Sequence, residues 1–398
     1  MATAAYVHIP FCRQRCYYCD FPVVADARAD SPWRLRYLQA LAREIRLTPV
    51  VGGPLQSVYF GGGTPSLLTP QELAVLLETL AQRFGLAKGA EISLEADPGT
   101  PGIQYLRDYR QLGVNRLSLG VQSFVPALLQ RSGRTHTVAD IAVAIEQLHR
   151  LDWENWNLDL LQGLPGQTLA DWQYSLTQAV QARPRHVSTY DLTLEPKTRF
   201  YRDVQRGQLA LPPEELTVQM YVIAHEFFTR HGYGHYEISN YAQPGYACRH
   251  NLTYWRNQPY YGFGLGATSY LQGVRFSRPA TLSGYLQWVE RQAQAGGVYI
   301  QGPSVTPVEV CFERLMLGLR LHEGVDLMEL LADLPPSVQA ALVQTLQRYR
   351  DQGWVDCQGD RWFLVPPQGF LMANTVLVEL WQAMEQGLSA AAPASSRR

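Results

Sequence analysis

Three cysteines stand close together near the start of the chain. Cys12, Cys16 and Cys19 lie in the run PFCRQRCYYCDF with the spacing C-x3-C-x2-C. Thiolates this close converge on metal, and three are one short of a closed tetrahedral zinc site or a fully ligated four-iron cube. A structural zinc needs a fourth ligand, for which His8 is the nearest candidate, but His8 lies in an apolar strand pattern that suits a buried histidine. A [4Fe–4S] cube on three thiolates keeps one iron open, and an open metal position is where chemistry happens.

Other groups with chemical potential sit in short motifs. The run YFGGGTPS (59–66) sets three glycines in succession, where absent side chains let a ligand approach the backbone. Alone, such a triplet equally suits an ordinary tight turn. Glu95 in SLEADP, Gln122 in LGVQSF and Asp159 in NLDLLQGLP each end an apolar run. A carboxylate there is costly to bury unless something satisfies it. Singly, each suits a helix cap or a core ion pair; at the ends of successive strands they make a ring of ligand groups. Arg134 in QRSGRTH offers that ring a cation, or is a solvated surface charge. Tyr18 sets an aromatic face between two of the cysteines.

These groups need elements to hold them. Strand-like runs alternate with helical patterns to about residue 241: AYVHI (4–8), QSVYF (56–60), EISLEA (91–96), RLSLGVQ (116–122), NLDLLQG (157–163), HVSTYDL (186–192) and HYEIS (235–239). Such alternation predicts an α/β fold with a parallel sheet, and this many units favour a barrel or partial (β/α) barrel. The cysteine loop then follows the first strand, at the strand-end face that carries function in such folds. Thr69-Pro70-Gln71-Glu72 and Thr168-Leu169-Ala170-Asp171 predict capped helix starts. Residues 1–241 therefore read as the barrel, and 242–300 as a Gly- and Tyr-rich extension. Residues 301–385 read as a smaller helical, winged-helix-like C-terminal domain, and 386–398 as a disordered tail.

Composition sets the bounds. At 398 residues, with 46% hydrophobic and 17% charged, the chain suits one large domain plus a smaller one. A net charge of -1 and the lack of a basic recognition helix give no case for nucleic acid. No apolar run approaches the roughly 20 residues of a transmembrane helix. The start MATAAYVHIPFC lacks a signal-peptide pattern, and six cysteines, half of them clustered, suit reduced metal-holding thiols, so a cytoplasmic location is expected.

In order, YVHIPFC, YFGGGTPSLL, LEADP, LSLGVQSF, RSGRTH and LDLLQGLPGQT resemble the radical S-adenosylmethionine (SAM) family over nearly the whole chain. The likeness is to the branch holding the oxygen-independent coproporphyrinogen oxidase and the haem chaperones of HemW type. It implies a partial barrel of the radical SAM type, with a [4Fe–4S] cluster on Cys12, Cys16 and Cys19 and SAM at the open iron. It also implies SAM contacts at Tyr6, Tyr18, Gly62, Gly63, Thr64, Glu95, Gln122, Arg134 and Asp159, and at Thr193 through its backbone. Three departures favour the chaperone over the oxidase. Only 11 residues precede Cys12, Phe21 stands where the oxidase has a fourth cysteine, and HNLTYW (250–255) fits a haem-associated motif of the chaperone branch. Imidazole or thiolate can ligate haem iron. Cys248 and His250 are thus candidate axial ligands, with Asn251 beside them and Tyr254 and Trp255 as flat apolar surface. Without the resemblance, His250 reads as a core histidine. The expected partners are haem, an acceptor protein and an electron donor. The oxidase and a zinc-stabilised interaction scaffold are the alternatives, and no catalytic residue is assigned.

Overall fold

A computed structural model describes residues 1–303 and 305–391. Among these residues the principal sheet has nine strands. Six parallel strands lie side by side in chain order: β1 (Ala4–Ile9), β2 (Leu55–Gly62), β3 (Leu86–Ala96), β4 (Arg116–Gln122), β5 (Trp156–Gln162) and β6 (His186–Asp191). Helices cross between them, the arrangement a parallel pair requires. The result is a partial (β/α) barrel that does not close.

The predicted seventh run behaves differently. HYEIS forms β7 (Gly234–Glu237), which turns through Ile238 and Ser239 into β8 (Asn240–Ala242); β8 pairs antiparallel to both β7 and β6. Two residues cannot carry a parallel crossover, so a hairpin ends the series. At the opposite edge β9 (Tyr261–Phe263), from the Gly- and Tyr-rich segment, pairs parallel to β1.

Local signals explain the helix starts. In α2 (Pro70–Phe84), which follows α1 (Pro32–Leu47), the Thr69 hydroxyl accepts from Glu72 N at 3.2 Å while the Glu72 carboxylate accepts from Thr69 N at 2.7 Å. Thr168 and Asp171 form the same reciprocal cap. Each is worth about 1 kcal/mol.

Segment 242–300 packs into the same core as the barrel, through Tyr261, Phe263, Leu271, Tyr285 and Val289. Arg278 and Glu44 of α1 tie it down as a fully buried pair at 2.7 Å, and the Tyr285 hydroxyl donates to the same carboxylate. A second core belongs to the C-terminal region. There α5 (Pro307–Gly318), α6 (Pro336–Asp351) and α7 (Ala373–Ala391) follow α3 (Arg249–Trp255) and α4 (Leu282–Gln294). A hairpin of Val355–Gln358 and Arg361–Leu364 joins Val325–Asp326 in a small sheet. The expected tail is partly helical instead. Residues 386–391 complete α7, because Gly387 lets it pack closely on α6 and its carbonyl accepts from the Ser337 hydroxyl at 2.8 Å. Residues 392–398 lie outside the described residues.

Candidate functional site

The cysteine loop is placed by the exits of β1 and β2. Past β1, Phe11 and Cys12 pair with Val24 and Ala25. The end of β2 runs alongside: Gly63 N donates to Ile9 O and Thr64 N to Phe11 O, both at 2.8 Å. The Thr64 hydroxyl lies 3.6 Å from Cys12 Sγ. This approach is why glycine is needed. A Cβ on Gly63 would fall 2.7–2.8 Å from backbone atoms of Ile9, Pro10 and Phe11, and Gly62 adopts φ +114°. The glycine run therefore seats the first cysteine as well as offering backbone to a ligand.

The loop closes over a cavity of about 550 Å³. Cys12, Cys16 and Cys19 line it together with Tyr18, Gly62, Gly63, Thr64, Glu95, Gln122, Arg134, Asp159 and Thr193. Residues far apart in the chain thus meet at the C-terminal ends of parallel strands. Tyr6 is the exception: its ring lies against Tyr59, its hydroxyl bonds His8 Nδ1 at 3.0 Å, and it does not line the cavity. Asp159 also differs from expectation, sitting mid-strand in β5 and facing inward, not at the strand's end.

Glu95 receives Tyr59 OH at 3.0 Å and Gly62 N at 2.9 Å. Burial pushes its carboxyl up to about 7, with the Gly62 N–H opposing and the Asp159 charge adding. Asp159 is raised by burial too, although the Ser118 hydroxyl at 3.0 Å and Asn157 Nδ2 at 2.7 Å stabilise its charge. Arg134 reaches Asp97 at 2.8 Å, Gly120 O at 2.9 Å and Cys16 Sγ at 3.4 Å. Burial opposes ionisation of Asp97, but Arg134 and His136 prevail and hold its carboxyl down to about 2. Arg134 Nε is buried with no partner among the described residues. Gln122 ends β4 at φ +67°, where the β4–β5 register shifts. Sequence reasoning missed Tyr59, Asp97, Ser118, Tyr190 and Asp191, all of which line the cavity. Asp97 sat inside the quoted LEADP and Tyr59 opened the quoted YFGGGTPS, where alternation with Ser57 and Gly61 along β2 was its only signal.

The donor set fits an iron–sulfur cube better than zinc. His8 Nε2 is engaged by Pro22 O at 2.9 Å and Nδ1 by Tyr6, so it offers no fourth ligand. Among the described residues no three His, Cys, Asp or Glu groups converge on a single ion. One zinc draws its sulfurs together at bonds of about 2.3 Å, whereas a cube spreads three thiolates over three irons.

The 248–255 segment lies toward the other end of the strands and is turned inward. Helix α3 points its first N–H groups at Glu91 of β3, which accepts from His250 N at 3.0 Å and Arg249 N at 3.2 Å. His250 is fully buried, with Nδ1 on the Ser57 hydroxyl at 2.9 Å and Nε2 on Tyr254 OH at 2.7 Å. Burial lowers its pKa to about 3. Cys248 is equally buried, 3.6 Å from Glu91, and burial raises its thiol to about 12. Asn251, Tyr254 and Trp255 are half-buried. His250 and Cys248 are thus engaged by their neighbours, because the polar groups of α3 satisfy those of the strands beneath it.

Residues 6–179 match the family model of the radical SAM superfamily, and residues 305–372 match that of the HemN C-terminal domain. The chain is 46% identical, over 97% of its length and 98% of the relative's, to a Synechocystis protein named haem chaperone HemW. Proteins of the same name from Bacillus subtilis and Escherichia coli are 35% and 34% identical, each over 94% of this chain. The solved structure of E. coli coproporphyrinogen III oxidase (HemN) shares the fold, with a TM-score of 0.79 and 22% identity over 95% of this chain and 90% of that one.

Proposed function

The chain belongs to the radical SAM superfamily and, within it, to the family of proteins named haem chaperone HemW, and from that premise we propose that it binds haem and passes it to an acceptor protein. The observation that carries this reading is full-length similarity to those chaperones, together with one cavity that gathers all three cysteines and a ring of strand-end groups. Cys12, Cys16 and Cys19 would hold a [4Fe–4S] cluster, and Tyr18, Gly62, Gly63, Thr64, Glu95, Gln122, Arg134, Asp159 and Thr193 would surround SAM. Bound there, the cluster would supply an open iron for SAM and would take up an electron from an outside donor.

The chain's own groups do the positioning. Glu95 presents a carboxylate already oriented by Tyr59 and Gly62 N–H, suited to an ammonium or a hydroxyl. Asp159 is oriented by Ser118 and Asn157 for the same kind of donor. The backbone of Gly62, Gly63 and Thr64 lets the ligand approach closely. Haem would sit against the α3 segment, with His250 or Cys248 as its ligand; to ligate iron, His250 would give up its bond to Ser57 or to Tyr254. Cleavage of SAM, or the redox state of the cluster, would gate haem release. No helix of the described residues is long and apolar enough to cross a membrane.

The test is a haem titration of anaerobically reconstituted protein beside a His250→Ala variant. A saturable one-to-one Soret band that weakens or shifts in the variant is expected. Absence of a specific band would overturn the chaperone reading. Conversion of coproporphyrinogen III to protoporphyrinogen, given SAM and a reductant, would establish the oxidase instead.

A further inference from the structure

One side chain touches both ends of the barrel interior. Tyr59 projects inward from the middle of β2. Its ring stacks on the His250 imidazole, with centroids 5.2 Å apart and planes at 26°, and its hydroxyl donates to Glu95 Oε1 at 3.0 Å. The same residue lines the cavity. We propose that Tyr59 is a positioning residue that couples the two sites, so that withdrawal of His250 to ligate haem weakens SAM binding, and SAM binding disfavours that withdrawal. This deepens the function proposed above and rests on it for the haem half.

The His250 ring occupies a fully buried slot bounded by Ser57, Tyr59 and Tyr254. Moving it out to reach an iron leaves one face of Tyr59 without a neighbour, and interiors do not keep such voids without rearrangement. A Tyr59 ring free to rotate no longer fixes its hydroxyl. Glu95 then loses one of two donors and is left less well oriented for a cationic ligand. In the opposite direction, a ligand that engages Glu95 locks Tyr59 and with it the seat of His250. Coupling between two sites is reciprocal, so each ligand weakens the other by the same factor.

The link can be read without haem. SAM affinity is measured by equilibrium dialysis on cluster-reconstituted, haem-free protein for wild type, His250→Ala, His250→Phe, Tyr59→Phe and the double variant Tyr59→Phe/His250→Ala. Thermal melts and iron content check folding and loading. His250→Ala is expected to bind SAM about tenfold more weakly, a typical coupling strength. His250→Phe restores a flat neighbour for Tyr59 and is expected to recover most of that loss. The double variant is expected to be no weaker than Tyr59→Phe alone, since both changes break one path. Wild-type affinity in His250→Ala, or full additivity in the double variant, overturns the coupling. With haem, the wild type is expected to lose the same factor in SAM affinity, and Tyr59→Phe to lose none. Haem uptake that ignores His250 overturns the haem half of the coupling and leaves Cys248, at the cap of α3, as the remaining ligand there; it is distinguished from failure of the Tyr59 link because the haem-free series still decides that link.

Discussion

Glu95 shows how a single group carries the chemistry of the site. Its carboxyl is raised from an ordinary 4.5 to about 7, first by burial. The folded value lies above the unfolded one, so its stabilising contribution is complete below 4.5 and is lost as pH rises toward 7. In ligand-free protein that loss amounts to about 3 kcal/mol. His250 works the other way: its value falls from 6.5 to about 3, so its contribution is present above 6.5 and lost as pH falls. For a cationic ligand, only ionised Glu95 is a good acceptor. SAM affinity is therefore expected to rise about tenfold from pH 6 to pH 8, by the same linkage, and Glu95→Gln is expected to bind weakly with a flatter profile. Binding titrations across that range check this, and a wild-type profile as flat as the variant's would count against Glu95 as a contact. Glu95 was legible in the sequence because an acid near the end of an apolar run demands a reason. Tyr59 was not, because a tyrosine in a strand is ordinary until its neighbours across the barrel are known.

Glycine does at the scale of the element what Glu95 does at the scale of the residue. The run Gly61-Gly62-Gly63 was read as room for a ligand, and Gly62 and Gly63 line the cavity, but the tighter constraint is strand against strand. A methyl on Gly63 meets backbone on three sides, and backbone cannot step aside as a side-chain tip can. Gly63→Ala is expected to cost about 2 kcal/mol or more and to leave reconstituted protein short of iron, because the exit of β1 that seats Cys12 must shift. Gly53→Ala, where the added carbon meets nothing within 4 Å, is the control and is expected to match wild type. Melting curves with iron and sulfide analysis decide, and full loading in Gly63→Ala would refute the seating role. The capped helices and parallel strands were legible because their signals are local. The orientation of α3 was not: His250 is held by Ser57, 193 residues away, and by Glu91, 159 residues away. A His-Asn-x-x-Tyr-Trp motif says nothing of which way it faces.

For the molecule as a whole, an open barrel leaves sheet edges, and an exposed edge is a template for association. One edge is covered by the C-terminal domain. Ile238 N bonds Arg320 O at 3.0 Å, His322 N bonds Tyr236 O at 2.9 Å, and Glu237 bridges to Leu321, so residues 320–322 lie along the β7 hairpin. Apolar contact reinforces the seam: Tyr221, from the helix Glu214–Arg230, is buried in the second core, and Phe370 packs edge-on against His235 at 5.1 Å. The ion pairs Arg256–Glu323 and Arg275–Glu313 are partly exposed and contribute at most about 1 kcal/mol each. Backbone pairing and apolar cover therefore dominate the seam. Helical patterning after residue 300 marked a separate C-terminal region, but no motif marks residues 320–322 as the partners of 236–238. A chain ending at residue 306 keeps every group that lines the cavity, yet bares the β7 edge and the face of Tyr221. Such a truncation is expected to load iron in its soluble fraction while self-associating as concentration rises. Size-exclusion chromatography over a concentration series tests this. A truncated protein that stays monomeric and melts with the full chain would show that the edge needs no cover, and would return the C-terminal domain to some role other than closing the barrel.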